Sequence, residues 1–323
     1  MLYTKSWKDD YFELLTDGFD EKAESILYTN TPNVLYKYFS DTEHSINNIK
    51  NSVLWFSSPK FYNDPYDSLI QRYFSFGKFL IENDIMALLI SEIDIDRPYL
   101  IDFKNKLFIN TQRVRDTVSD FLGYLTTLNN SVVGKDKRLI QSLIEKIEGM
   151  RIGIYDDTIF NCFFEKLYIS CFSELKDNIL MWSHYTNSSS GFCVEYDIEN
   201  FLKEAGIEGI KIVPVIYQPN LFSYQKYRKC NSPIPQIIVK NECWKYEIEW
   251  RMTCSGNPGE KGIKKCSPKI TKIILGSNFN YSEDNKIKDE LMMFVKDRKI
   301  DLYRMKPEEN TFRLREYPVR LGA

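Results

Sequence analysis

The chain has 323 residues, 43% of them hydrophobic and 27% charged, which is enough for one large core or two modest ones. Its 43 basic and 45 acidic residues give a net charge of −2, so no global field attracts a polyanion. Binding to nucleic acid would need a local basic patch. Aromatic residues are abundant (21 Tyr, 21 Phe and 5 Trp), and Tyr and Trp line pockets as well as fill cores.

The seven cysteines are scattered without a CxxC pair, and the chain has two histidines, His44 and His184. This pattern disfavours a disulfide framework and a zinc site, so we expect reduced thiols and no bound metal. No apolar run approaches the roughly 20 residues of a membrane span. Asp9 and Asp10 stand where a signal peptide would be apolar. We expect a cytoplasmic protein with no membrane contact.

The first part of the chain predicts an N-terminal helical segment over residues 1–30, because acidic and apolar positions recur there at helical spacing. Strands are predicted at 34–38 and 53–56, with a short helix at 45–51 between them and a loop at 57–67.

Residues 77–167 have i, i+3, i+4 apolar spacing in three stretches, 79–89, 114–125 and 139–147. The block contains few glycines and prolines and no cluster of polar motifs. We therefore predict a helical insertion that packs or binds partners.

Strand patterns dominate the rest of the chain. They are predicted at 167–172, 191–196, 212–217, 250–254, 270–275, 301–305 and 312–318. Helices are predicted between them at 198–205, 219–227, 236–243 and 282–298.

Because strands come early and late and helices are segregated, the sequence predicts an α+β fold, not a regular βαβ alternation. We expect a single domain, 1–323, whose sheet-containing core is formed by 31–76 plus 168–323. The helical insertion at 77–167 lies outside that core.

Two early motifs carry candidate site residues. In Leu35-Tyr36-Lys37-Tyr38, period-2 alternation places Tyr36 and Tyr38 on one face, although an ordinary edge strand with a solvated lysine would have the same pattern. The segment 55–67 contains Asn63-Asp64-Pro65, in which short polar side chains make a turn. Asp64 and Asp67 are alternatively placed to reach a metal or a ribose.

A third motif surrounds His184, between Trp182-Ser183 and Tyr185. An imidazole there can donate, accept or carry a proton, while the alternative is a satisfied histidine in an aromatic wall. Ser183 and His184 are not a catalytic dyad, since neighbouring side chains diverge. No GxSxG elbow is present, which disfavours acyl transfer.

The fourth motif runs from Lys240 to Arg251. A strand that begins near Tyr246 would place Glu247, Glu249 and Arg251 on one face, with Trp250 on the buried one. Adjacent carboxylates raise one another's pKa unless a cation intervenes, and Arg251 is the nearest cation in sequence. The charged face then lines a cleft, or alternatively is a solvated face with an ion pair.

Together these motifs resemble an uncharacterised bacterial family, domain of unknown function 2971. The resemblance extends over nearly the whole chain except the helical block. The matching segments are 35–38, 54–59, Phe61, 63–65, 170–174, 181–185, 191–192, 244–251 and 274–276.

A weaker likeness is to ADP-ribosyltransferases, whose split mixed sheet clamps NAD. Tyr36-Lys37, Ser57-Ser58 and Glu247-Ile248-Glu249 stand in that family's motif order. The likeness implies that Glu249 is the catalytic glutamate and that Glu247 orients the acceptor. It also implies that aromatic rings stack on nicotinamide and that Lys37 or Arg251 meets the pyrophosphate. The chain departs from the family in lacking a clear Ser-Thr-Ser strand.

The candidate residues fall into three groups. The catalytic candidates are Glu249, Glu247 and His184. The candidates for binding NAD are Tyr36, Lys37, Ser58, Trp182, Tyr185 and Arg251. Further pocket residues are Asn63, Asp64, Asp67, Trp244 and Tyr246.

Three functions are compatible with these residues. The first is an NAD-consuming or ADP-ribosyl-transferring enzyme, a toxin or phage-defence effector with a protein or nucleic-acid acceptor and a regulatory partner. The second is a nuclease or phosphoesterase that uses Asp64, Asp67, Glu247 and Glu249 around Mg²⁺, with Lys240 or Lys245 assisting. The third is a non-catalytic sensor that holds a nucleotide or peptide in the same cleft.

Overall fold

The computed structural model describes residues 6–64, 66–67, 96, 98, 101–102, 114–134, 136–145, 165–204, 209–222, 234–280 and 286–320. The chain divides into two compact units. The first contains residues 1–68, 165–222 and 227–323, and the second contains 69–164 and 223–226. The helical block predicted as an insertion thus forms most of a compact unit of its own.

In the second unit the structure describes a helix over Val114–Ser131 and another over residues 136–145. Phe121, Leu125 and Ile140 are fully buried, and Asn129 donates to Gln141 Oε1 at 2.9 Å. The helical predictions at 114–125 and, as far as residue 145, at 139–147 are confirmed. The predicted helix at 79–89 lies outside the described residues.

The helices have recognisable local signals. Ser6 and Asp9 form a reciprocal capping box at the start of α1, and Thr42, Asn178 and Asp197 cap α3, α5 and α6. The helices are α1 Trp7–Thr16, α2 Asp20–Asn30, α3 Glu43–Lys50, α4 Val114–Ser131, α5 Ile179–Tyr185, α6 Ile198–Lys203, α7 Ile234–Ile238 and α8 Lys286–Arg298.

The strands of the first unit are mostly β-branched and aromatic. They are β1 Val34–Phe39, β2 Val53–Ser57, β3 Leu167–Ser173, β4 Phe192–Asp197, β5 Lys211–Pro214, β6 Ile216–Gln218, β7 Val239–Asn241, β8 Glu249–Ser255, β9 Gly262–Cys266, β10 Lys269–Leu275, β11 Asp301–Pro307 and β12 Leu314–Pro318.

Ten strands form one mixed sheet, and eight of them follow the order β12-β11-β10-β4-β1-β3-β2-β9. β8 pairs with β3 along its whole length and carries β5 on its other side. One edge of β3 is occupied by β8. The other edge is therefore shared by β1 and β2, and each of them pairs with β3 through one residue pair. The sheet is therefore split at β3, with β10 and β11 as a parallel pair. The predicted α+β class is confirmed.

The two faces of the sheet differ in what covers them. On the first face a large core joins Leu35, Val194 and Trp250 to side chains of α3, α6 and α8. On the second face α5 places Trp182 and Met181 against a smaller cluster that includes Tyr38. Among the described residues, three helices thus pack on the first face and one packs on the second.

Several element boundaries differ from the sequence prediction. The strand predicted at 212–217 is interrupted at Val215 and becomes β5 and β6, which belong to different sheets. The helix predicted at 236–243 ends at Ile238, and the chain continues as β7 and then as a 3₁₀ turn, Glu242–Glu247. The sequence does not predict β9, because lysines occupy two of its five positions and an edge strand needs no apolar alternation. The predicted helix at 219–227 lies largely outside the described residues.

We expect Gly191→Ala to destabilise the protein, because a Cβ at residue 191 would lie 2.0 Å from the Phe39 carbonyl oxygen. The expected loss of unfolding free energy is about 1–3 kcal/mol, typical of overpacking. Gly123→Ala is the control, since Gly123 lies within α4 with nothing within 4 Å of the added methyl group. Thermal unfolding followed by circular dichroism checks both variants, and an unchanged midpoint for Gly191→Ala would contradict the assigned packing.

Candidate functional site

Five buried charged side chains meet on the second face of the sheet, where β7 and the 3₁₀ turn lead into β8. We call them the ionic cluster. Its members are Asp67, Lys240, Glu247, Glu249 and Arg251.

Lys240 lies between the two glutamates. Its Nζ donates to Glu247 Oε2 at 2.6 Å and to Glu249 Oε2 at 2.8 Å. The same nitrogen is 3.7 Å from Asp67 Oδ2. One ammonium group therefore bridges two carboxylates and approaches a third.

Arg251 fixes the opposite side of Glu249. Its Nε donates to Glu249 Oε1 at 2.9 Å, and its Nη2 donates to Asp67 Oδ2 at 2.7 Å. Its Nη1 donates to the Ile237 carbonyl oxygen. The guanidinium is 0% exposed and lies 5.8 Å from the ring centroid of Tyr62. Three carboxylates and two cations leave the ionic cluster with a net charge of −1.

The local backbone explains how Glu247 and Glu249 reach the same lysine. Ile248, between them, has left-handed backbone angles with φ of 41°, so the chain turns at the end of the 3₁₀ helix. Ser173 Oγ donates to the Glu247 carbonyl oxygen, and the Glu249 amide donates to Tyr217 Oη at 2.8 Å. These bonds hold the turn in place.

The predicted strand start near Tyr246 is therefore wrong, because β8 begins at Glu249. The two glutamates do not share a strand face at period 2; they converge through the turn. The expected open charged face is wrong as well. β8 is buried on both faces from Glu249 to Cys254, and Arg251 lies in the interior.

The two glutamates have opposite electrostatic environments. Burial alone would raise the pKa of Glu249, but the charges of Arg251 and Lys240 outweigh it and hold that pKa well below its usual range. Burial raises the pKa of Glu247, and Glu249 adds to the rise while Lys240 opposes it. The pair thus contains one firmly ionised carboxylate and one that binds a proton more readily.

Aromatic side chains lie between the ionic cluster and solvent, and we call them the aromatic rim. Tyr185 donates its hydroxyl to Glu247 Oε1 at 2.6 Å, and the Trp244 ring lies 4.9 Å from Lys240 Nζ. The exposed His184 places Nδ1 3.2 Å from the Tyr246 hydroxyl. The rim comprises His184, Tyr185, Trp244 and Tyr246.

Cys171 and Tyr62 are site neighbours that the sequence did not single out. The Tyr62 hydroxyl lies 3.7 Å from Cys171 Sγ. Burial raises the pKa of the Cys171 thiol to about 12, with the negative charge of Glu249 adding to the rise, so this thiol is not a nucleophile at neutral pH. Lys240 was identified only as an assisting lysine of the nuclease hypothesis. No sequence signal marks it, because its partners are seven and nine residues away in a turn.

Other predicted site residues have partners elsewhere. Tyr36 donates to Glu195 Oε2 at 2.9 Å on the second face, while Lys37 donates to the Cys171 carbonyl oxygen and packs over Phe172 on the first face. Tyr36 and Lys37 therefore lie on opposite sides of the sheet. The Trp182 indole is buried and donates to the Lys176 carbonyl oxygen.

Of the predicted site residues in the loop at 57–67, some serve local structure and one belongs to the ionic cluster. Asn63 Oδ1 accepts from the Asp64 amide, and Asp64 Oδ1 accepts from the Tyr66 amide, so both side chains build the local turn. The Ser58 amide donates to the Lys261 carbonyl oxygen, and the residue is buried. Of this loop, Asp67 is the predicted residue that enters the ionic cluster.

A divalent metal is not favoured by this arrangement. Within the described ranges, no three His, Cys, Asp or Glu side chains are placed to hold a metal ion. The carboxylates proposed for Mg²⁺ are already bonded to Lys240 and Arg251, except Asp64, which serves the turn.

Comparison with known proteins identifies one family. Residues 181–252 match the model of a family described as protein of unknown function (DUF2971), which confirms the family resemblance for that segment of the chain. The match spans the chain from α5 to β8 and includes four of the five cluster residues, all but Asp67. No curated protein and no solved structure matches the chain at a significant level. No helix of the described chain is long and apolar enough to cross a membrane.

We expect Lys240→Met to lower the unfolding free energy by about 3–5 kcal/mol, because it leaves buried carboxylates without their shared cation. The charge of the ionic cluster changes from −1 to −2. Adding Glu247→Gln returns the charge to −1 and should recover part of the loss. Urea unfolding at neutral pH measures both effects.

The control for this prediction is Lys211→Met, whose ammonium forms an exposed pair with Glu24 and is 57% exposed. Its expected cost is less than about 1 kcal/mol. A Lys240→Met protein as stable as this control would contradict the central position of Lys240. A double variant whose loss of unfolding free energy equals the sum of the losses in the two single variants would contradict it as well.

Proposed function

We propose that the chain is an enzyme that cleaves the nicotinamide–ribose bond of NAD and transfers the ADP-ribosyl group to an acceptor. The observation that carries the proposal is the pair Glu247 and Glu249, joined by one lysine and driven apart in pKa. Neighbouring carboxylates with opposed pKa shifts are typical of sites where one group stabilises charge and the other transfers a proton.

Glu249 is suited to stabilise the transition state. As the bond between ribose C1′ and the nicotinamide nitrogen breaks, positive charge develops on the ribose, and a fixed anion lowers the energy of that state. Arg251 and Lys240 keep Glu249 ionised and hold its carboxylate in one orientation. Such preorganisation avoids the reorientation that water would need.

Glu247 is suited to act as the general base. The acceptor oxygen forms a bond to C1′ while nicotinamide leaves, and the proton of that oxygen passes to Glu247. A raised pKa makes this carboxylate a better proton acceptor than an ordinary one. The Tyr185 hydroxyl, 2.6 Å from Oε1, orients it. Water as acceptor gives ADP-ribose, and a macromolecular hydroxyl gives a modified acceptor.

The aromatic rim supplies the binding surface. Trp244 and Tyr246 lie with ring centroids 6.1 Å apart, and Tyr246 contacts His184. Flat rings of this kind stack on nicotinamide or adenine. Glu247 and Glu249 are both 3% exposed, so NAD binding requires the rim to move outward. In this proposal Tyr185 and His184 are positioning residues of that rim.

Two alternatives remain from the sequence. A non-catalytic nucleotide-binding sensor is favoured by the burial of the ionic cluster, whose carboxylates are already bonded to cations. The metal-dependent nuclease is the weaker alternative, since Lys240 and Arg251 stand where a divalent cation would bind. An NAD-consuming activity harms a cell unless it is restrained, so a toxin or phage-defence role with a regulatory partner fits the proposal.

We expect the purified chain to release nicotinamide from NAD and Glu249→Gln to reduce the rate by at least about 100-fold, as loss of an electrostatic catalyst does. Glu247→Gln should lower the rate of transfer to an acceptor more strongly than it changes the KM for NAD. Both variants leave two carboxylates facing two cations, so folding is preserved. The assay is release of nicotinamide measured by chromatography.

Glu316→Gln is the matched control, because Glu316 pairs with Lys176 and Lys272 in a separate network on β12. It should keep wild-type turnover. Nicotinamide release that is unchanged by Glu249→Gln would reject the assigned role. A protein whose melting temperature rises with NAD while no nicotinamide appears would instead support the sensor.

A further inference from the structure

The outer edge of the sheet at β9 carries a local excess of positive charge. In the described part of the chain, β9 is the end strand and pairs with β2 alone. Exposed lysines and two aromatic rings gather there, and we call them the basic edge. Its members are Trp55, Lys60, Phe61, Lys261, Lys264 and Lys265.

Contacts between β9 and the segment after β2 assemble the basic edge. The Ser58 amide donates to the Lys261 carbonyl oxygen at 3.0 Å, which ties the two segments together. Lys261 Nζ lies 5.9 Å from the Phe61 ring. Trp55 and Lys264 are direct partners across the strand pair, so their side chains share a face. Each ring thus has a lysine beside it.

The charge of this edge contrasts with that of the chain. Its four lysines are exposed, and none of them forms an ion pair with another described residue. Glu260 is the neighbouring exposed acid, which leaves a local charge of +3 in a chain whose net charge is −2. Such asymmetry is a footprint of a polyanionic partner.

The aromatic rings distinguish a binding surface from simple edge protection. Lysines on an end strand also prevent sheets from joining, and that role alone would explain Lys264 and Lys265. It does not explain Phe61, which is 55% exposed beside a lysine. An exposed ring beside a lysine offers a face on which the flat base of a ligand can stack.

We propose that the basic edge binds a single strand of nucleic acid. Lys60, Lys261 and Lys264 contact successive phosphates, and Phe61 stacks on a base. Lys265 pairs with the buried Leu54 and therefore lies on the opposite face of the strand, where it adds to the local positive charge. A single strand fits better than a duplex, because paired bases are already stacked on one another and present no free face.

The basic edge is connected to the ionic cluster through the chain itself. Tyr62 follows Phe61, and its ring centroid lies 5.8 Å from the Arg251 guanidinium. The proposed binding ring is therefore one residue along the chain from a ring that contacts the ionic cluster. Where the proposed NAD chemistry holds, the bound strand is the acceptor of the ADP-ribosyl group.

The test is fluorescence anisotropy with labelled oligo(dT) and oligo(U) of about 15 nucleotides, within the site sizes of single-strand binders. NAD is omitted, and salt is varied between roughly 50 and 200 mM. Three phosphate contacts predict a slope of about −2 for log K against log salt. A duplex of the same length should bind more weakly.

Two variants separate charge from stacking. Lys261→Gln/Lys264→Gln should weaken binding about 25-fold near 0.1 M salt and reduce the slope by about 1.4, since each single-strand phosphate contact contributes about 0.7. Phe61→Ala should weaken binding at least about 5-fold and leave the slope unchanged. The control Lys296→Gln/Lys306→Gln removes two exposed lysines on α8 and β11 and should bind as wild type.

Three results would overturn the proposal. They are no binding of either oligonucleotide, binding that the two variants leave unchanged, and duplex binding as tight as that of a single strand. Binding without nicotinamide release supports the basic edge and rejects the NAD chemistry. Nicotinamide release without binding rejects the basic edge alone.

Discussion

The structure of the site depends on one buried ammonium group. Glu247 and Glu249 carry like charges at the entrance to β8, and burial penalises both. Lys240 makes their proximity possible by donating to one oxygen of each, and Arg251 secures the second oxygen of Glu249. Breaking such a network leaves uncompensated charge in the interior, so the five side chains form one interdependent unit.

That unit joins parts of the chain that are far apart in sequence. Asp67 follows the first two strands, and the other four cluster residues lie between Lys240 and Arg251. Ser173 at the end of β3 and Tyr185 at the end of α5 bond to Glu247. In many proteins, replacing buried ion pairs by well-packed apolar side chains leaves stability unchanged or increases it. The burial of five charged groups here therefore points to a role beyond folding. In the proposed function, the opposed pKa shifts of the two glutamates divide the catalytic roles between them, and the aromatic cover binds the flat, charged substrate. The same burial means that the rim must open before any substrate reaches the carboxylates.

The sequence predicted the parts governed by local signals. Capped helices at α1 and α3 and β-branched strands such as β1 and β4 follow from caps and short-range patterns, and so does the α+β class. The turn at Ile248 could not be predicted, because a β-branched residue with φ of 41° is rare and is held only by tertiary bonds. For the same reason the partnership of Lys240 with both glutamates was missed, and Tyr36 and Lys37 were assigned to one site although alternation separates them. The motifs 182–185 and 244–251 did identify the rim and most of the ionic cluster.

The central claim is that one lysine bridges two glutamates whose pKa values are shifted in opposite directions. Carboxyl carbon NMR of glutamate-labelled protein tests this claim most directly. Resonances are assigned by their loss in Glu247→Gln and Glu249→Gln, and the protein is titrated downward from neutral pH. We expect the Glu247 resonance to move at a pH above the ordinary value of 4.5, while the Glu249 resonance stays that of a carboxylate well below it. Two glutamates that titrate together near 4.5 would contradict the account.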